Sequence, residues 1–155
     1  MKLRILSAAM FMVALVYQTY AQCTSGCSFS YSLSNGSSGP VSYTFPSSGS
    51  GHVLCIRVTG GGSATVSAGT INFNNHPNAV LCIGPGITIS SGASFTNLHN
   101  QTTINNYGTV QNSLNLSQNQ NVVNNYGTIS GNVTQSNGTI NNMSGGTFSS
   151  SNYTF

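Results

Sequence analysis

With no Asp and no Glu among its 155 residues, the four cysteines and three histidines are the side chains of this sequence best suited to act as nucleophiles, bases or metal ligands. Without a carboxylate there is no paired-acid glycosidase, no Ser-His-Asp triad and no acidic cage for calcium or magnesium. A zinc site built from Cys23, Cys27, Cys55 and Cys82 with His52, His76 or His99 would need ligand spacings that match no common zinc module. A Cys–His nucleophile needs a free thiol. The cysteines are therefore read as disulfides, and no catalytic residue, cofactor or metal is assigned.

Redox compartment decides that reading, and the N-terminus supplies it. Met1-Lys2-Leu3-Arg4 is a short positive region, Ile5 to Tyr17 is apolar, and Thr19-Tyr20-Ala21 has the small residues that signal peptidase accepts. Residues 1–21 are predicted to be a signal peptide cleaved after Ala21, the apolar run being shorter than the ~20 residues that span a bilayer. The mature protein is expected to be secreted or held at the cell surface, where thiols oxidise. Cys55 and Cys82 share one frame, Val53-Leu54-Cys55-Ile56 against Val80-Leu81-Cys82-Ile83. Four cysteines allow three pairings; stacked in neighbouring strands Cys55 and Cys82 would lie about 4.8 Å apart, inside the roughly 4.4–6.8 Å between Cα atoms that a disulfide tolerates, and pairing them leaves Cys23 with Cys27.

These residues need a scaffold, and the second half of the chain spells it out. Ile104-Asn105-Asn106-Tyr107-Gly108-Thr109-Val110 recurs as Val123-Asn124-Asn125-Tyr126-Gly127-Thr128-Ile129, and a degenerate copy runs from Ile140-Asn141-Asn142-Met143 to Thr147-Phe148. Units of about 17–19 residues are too short for helix pairs or propeller blades and suit one turn of a parallel β-solenoid, or β-helix. Thr65-Val66-Ser67-Ala68-Gly69 echoes Thr88-Ile89-Ser90-Ser91-Gly92, extending a looser repeat back to residue 53. The prediction is an all-β chain: a cap over 22–52 and solenoid repeats over 53–155, truncated or open at the C-terminal end.

Within each unit, alternation points Ile104 and Val110, Val123 and Ile129, Ile140 and Phe148 inward. Asn106, Asn125 and Asn142 share that parity and are predicted to form a ladder bonded along the axis, which offsets the ~1–3 kcal/mol of an unpaired buried polar group. Tyr107 and Tyr126 point outward beside Thr109, Thr128 and Thr147, the candidate ligand face. Tyr stacking on Tyr to shield the sheet competes there with Tyr stacking on sugar. Ice ranks below glycan as a ligand, since the sequence keeps no strict Thr-x-Thr rhythm. Arg57 is expected to be a solvated charge. Phe29-Tyr31-Leu33 and Val41-Tyr43-Phe45, around Asn35-Gly36-Ser37-Ser38-Gly39-Pro40, are predicted to pair as a β-hairpin cap.

The signal, the Cys-Thr-Ser-Gly-Cys start, the Gly-Gly-Gly at 60–62 and the Asn-Asn-Tyr-Gly-Thr units resemble the N-terminal region of exported β-helix, adhesin-like surface proteins of Bacteroidetes. That resemblance implies type IX secretion and a structural or adhesive role. The C-terminal sorting domain usual in such proteins does not follow here. The expected partners are surface glycan or further copies of the chain, joined end to end. After signal removal only Arg57 is permanently charged, which argues against nucleic acid. A polysaccharide lyase of β-helix type would need Asp or Glu for calcium and a Lys or Arg base.

Overall fold

The computed structural model describes residues 23–49, 51–118, 120–150 and 152–154; the predicted signal segment lies outside them. Strands follow one another in turns. The first turn holds β1 (Phe29–Ser34), β2 (Ser38–Pro40) and β3 (Tyr43–Thr44), and the second β4 (Val53–Thr59) and the long β5 (Ala64–Asn72). The third holds β6 (Val80–Ile83), β7 (Ile87–Ile89) and β8 (Ala93–Thr96); the fourth β9 (Thr103–Asn106), β10 (Thr109–Val110) and β11 (Leu114–Leu116). Then come β12 (Val122–Asn125), β13 (Thr128–Ile129) and β14 (Val133–Gln135), and last β15 (Thr139–Asn142), β16 (Thr147–Phe148) and β17 (Tyr153–Thr154). Among the described residues there is no helix.

Every pairing is parallel and runs from one turn to the next, as predicted for a β-solenoid. The first face is a six-stranded sheet in the order β1-β4-β6-β9-β12-β15, and the second runs β2-β5-β7-β10-β13-β16. A third face is made by β3, β5 and β8 in the early turns and by β11, β14 and β17 in the late ones. Short strands with β-branched residues at alternate positions suit this arrangement, because each strand presents one side to the interior.

Register on the first face stacks Phe29, Leu54, Leu81, Ile104, Val123 and Ile140 in one column. Their sequence spacings are 25, 27, 23, 19 and 17 residues. The 17–19-residue period thus holds only for the late turns. Early turns are wider because their third side encloses an aromatic column: Phe45 stacks on Phe73 with centroids 5.2 Å apart, and Phe95 meets Phe73 edge-on. On the second face Val66, Ile89, Val110 and Ile129 continue the core. Fully burying each such aliphatic side chain contributes about 1.5–3 kcal/mol.

The predicted hairpin is not formed. β1 pairs parallel with β4, and β2 and β3 pair parallel with β5, so the segment from Phe29 to Thr44 is the first turn of the solenoid itself. Asn35 and Gly36 turn a corner between two faces rather than reversing the chain, and Asn35 accepts from the Ser63 amide of the turn above at 3.0 Å. Exposed large hydrophobics sit in the outermost turns, Phe29 and Tyr31 at one end and Met143 and Phe148 at the other. Phe148 was expected inside beside Ile140; it is 36 % exposed because no turn is stacked above it among the described residues.

Candidate functional site

All four cysteines are oxidised, but not in the expected pairs. Cys23 bonds Cys82 and Cys27 bonds Cys55, with Cα–Cα distances of 5.5 and 5.8 Å. Cys55 and Cys82 are indeed register partners. Their side chains leave the sheet side by side at the strand spacing of about 4.8 Å, beyond the roughly 3.5–4.5 Å between Cβ atoms that a disulfide spans. Each instead bonds the segment laid over them. The Cys23 to Cys27 loop is therefore a strap across the outer surface of the first sheet, where Cys23, Cys55 and Cys82 form a buried cluster against which Tyr107 packs.

Beyond the strap, the outward cysteine column continues as Asn105, Asn124 and Asn141. The Asn124 amide donates to Asn105 Oδ1 and the Asn141 amide to Asn124 Oδ1, each at 2.9 Å. This outer ladder was not foreseen, although the repeated Asn-Asn pair carried its signal. The predicted inner ladder is also present. Asn106 donates to Asn125 Oδ1 at 2.8 Å and Asn125 to Asn142 Oδ1 at 2.7 Å; Asn106 and Asn125 are fully buried. Further bonds run from Asn106 to the Thr128 carbonyl, from Asn125 to the Thr147 carbonyl, and from the Gly108 amide to Asn106 Oδ1. Ile56 and Ile83 fill the same column lower down, so the ladder replaces apolar packing where the turns narrow.

Tyr107 and Tyr126 stack on each other, centroids 4.6 Å apart and planes within 12°. Each ring gives one face to its neighbour, and Tyr107 also packs against the cysteine cluster, so much of the aromatic surface is engaged within the protein. Burial raises the Tyr107 phenol pKa above its usual value, and the neighbouring Tyr126 raises it further. Arg57 lies on the same outer surface and donates from Nε to Ser32 Oγ at 3.2 Å.

Thr109, Thr128 and Thr147 are in register on the second face, and the column is longer than the sequence indicated: Thr88 pairs with Thr109 and Thr65 with Thr88, while Ser38 lies opposite Thr65. The glycine before each late Thr allows the corner to close tightly. A Cβ at Gly127 would overlap the Gly108 carbonyl oxygen.

His52 and His76, candidate metal ligands by residue type, serve each other instead. They bond each other, Nδ1 to Nε2 at 3.0 Å, with His76 fully buried beside Phe45. Among the described residues no group of three or more His, Cys, Asp or Glu side chains could hold a metal ion. What these parts define is an all-β, parallel, disulfide-strapped solenoid with amide and hydroxyl columns on its surface. No family model matches the chain, and no curated protein or solved structure matches it significantly.

Proposed function

We propose that this chain is an exported, non-enzymatic structural or adhesive module, a stalk or binding surface of a cell-surface or matrix protein. The observation that carries the reading is the pair of disulfides strapping the N-terminal segment to the second and third turns, Cys27 to Cys55 and Cys23 to Cys82. Such bonds persist outside the reducing cytosol, in keeping with the signal-like residues 1–21. Long-range in-register stacking gives a stiff rod, and among the described residues the surface is mostly amides and hydroxyls, with Arg57 its one permanent charge. The resemblance to Bacteroidetes adhesin-like proteins and type IX export belongs to this proposal.

Expression from the chain's own leader, followed by fractionation and N-terminal sequencing, tests it. The expected product is an extracytoplasmic protein that begins at Gln22 and has no free thiol. A reduced protein retained in the cytoplasm with Met1 intact would overturn it. Glycan binding through Tyr107 and Tyr126 is less favoured than a structural role, because the two rings are occupied with each other.

A further inference from the structure

We propose that the outer surface of the second sheet binds ice. Five consecutive turns present Thr at the same register position, Thr65, Thr88, Thr109, Thr128 and Thr147. Two residues on, the backbone ladder continues through the amides of Ser90, Gln111, Ser130 and Ser149, which bond the carbonyls of Val66, Ile89, Val110 and Ile129. That places Ser67, Ser90, Gln111, Ser130 and Ser149 in a second column beside the first. The rhythm is Thr-x-Ser on four of the five turns.

Geometry makes these side chains a lattice. Parallel in-register strands repeat about every 4.8 Å along the axis, and alternate residues of one strand lie roughly 6.6 Å apart. β-Branched Thr in equivalent strand positions is held to few χ1 rotamers, so its hydroxyls repeat with the backbone. Beneath them, the buried Asn106 and Asn125 amides bond the Thr128 and Thr147 carbonyls, which fixes the corner that sets the column. None of the five Thr hydroxyls has a hydrogen-bond partner among the described residues. The second column is less regular. Ser90 Oγ donates to the Ser67 carbonyl at 3.0 Å, and Gln111 interrupts the series.

Ligand chemistry follows from what this surface lacks. The strands of the second sheet carry no charged residue, and the positions of its two outward columns carry no aromatic one, so neither an ionic ligand nor a stacked sugar ring finds its usual partner. Each hydroxyl both donates and accepts, as every site in a water lattice does. A rigid array orders its bound waters before contact, so less immobilisation remains when those waters join ice. This goes beyond a stalk role and does not depend on adhesion.

Thermal hysteresis and partition into growing ice, measured on the exported, oxidised chain, test the proposal. The wild type should show a gap between melting and freezing points, shape ice crystals and enter the ice. Thr109→Tyr with Thr128→Tyr should lose all three, as should Thr88→Tyr alone if the double variant misfolds by circular dichroism. Thr134→Tyr, exposed on the third face, should retain them. A folded wild type with no gap and no entry into ice overturns the proposal. So does equal loss in Thr134→Tyr, or retention on a crystalline polysaccharide without any effect on ice.

Discussion

The side-chain amide of Asn106 donates to the backbone carbonyl of Thr128, 3.1 Å away and one turn further along the solenoid, so the buried ladder and the outward Thr column share one hydrogen-bonded frame. Asn125 occupies the middle of that frame, accepting from Asn106 and donating to Asn142 and the Thr147 carbonyl. Asn125→Ala takes the acceptor from one hydrogen of the buried Asn106 amide and removes two further bonds, and should cost about 1–3 kcal/mol in chemical denaturation. Asn124→Ala on the outer ladder, where water replaces the lost bond, should cost less than about 1 kcal/mol.

The strap makes a separate contribution. Its bonds close sequence separations of 59 and 28 residues, which in the chain-entropy model contribute about 3–4 kcal/mol each. Cys27→Ser with Cys55→Ser, and Cys23→Ser with Cys82→Ser, should each lower the denaturation midpoint by a large fraction of total stability. Reductant should do the same to the wild type and leave a variant lacking all four thiols unchanged.

Alkali should weaken the fold through its tyrosines. Burial raises the pKa of Tyr43, and burial with the Tyr126 contact raises that of Tyr107, above the ordinary phenol value of 10.0. A phenol whose pKa is higher folded than unfolded contributes stability that is full below pH 10.0 and lost as pH rises through the folded value. Melting temperature followed alongside tyrosinate absorbance should fall above that pH. Tyr107→Phe should flatten the decline.

Close backbone approach at the corner predicts that Gly127→Ala, which sets a methyl against the Gly108 carbonyl, costs about 1–3 kcal/mol through overpacking. Gly36→Ala has open space around it but a positive φ of 74°, so its cost is conformational and near 1 kcal/mol. Thermal denaturation of the two variants separates steric from backbone effects.

Sequence reasoning reached the late turns because Ile104 to Val110 and Val123 to Ile129 are nearly identical, and parity alone placed Asn106 and Asn125 inside. It failed where one pattern serves two geometries. Alternating Phe29-Tyr31-Leu33 and Val41-Tyr43-Phe45 around Asn35-Gly36 describes a hairpin and equally a corner between parallel faces. Cys55 and Cys82 share a frame because they are stacked, yet each bonds the strap laid over them rather than its neighbour. Thr65 and Thr88 were visible as an echo, yet their phase with Thr109 was hidden because turn length varies from 27 to 17 residues. The His52–His76 bond carried no local signal, its partners being 24 residues apart.

Disulfide mapping of the exported protein by chymotryptic digestion without reduction tests the central claim, a strapped solenoid whose first turn begins at β1. The account predicts a three-chain product in which the fragment bearing Cys23 and Cys27 is joined to both the Cys55 and the Cys82 fragments, with fragmentation assigning Cys23 to Cys82 and Cys27 to Cys55. A two-chain Cys55–Cys82 product with a self-closed Cys23–Cys27 loop, or four free thiols, would contradict it.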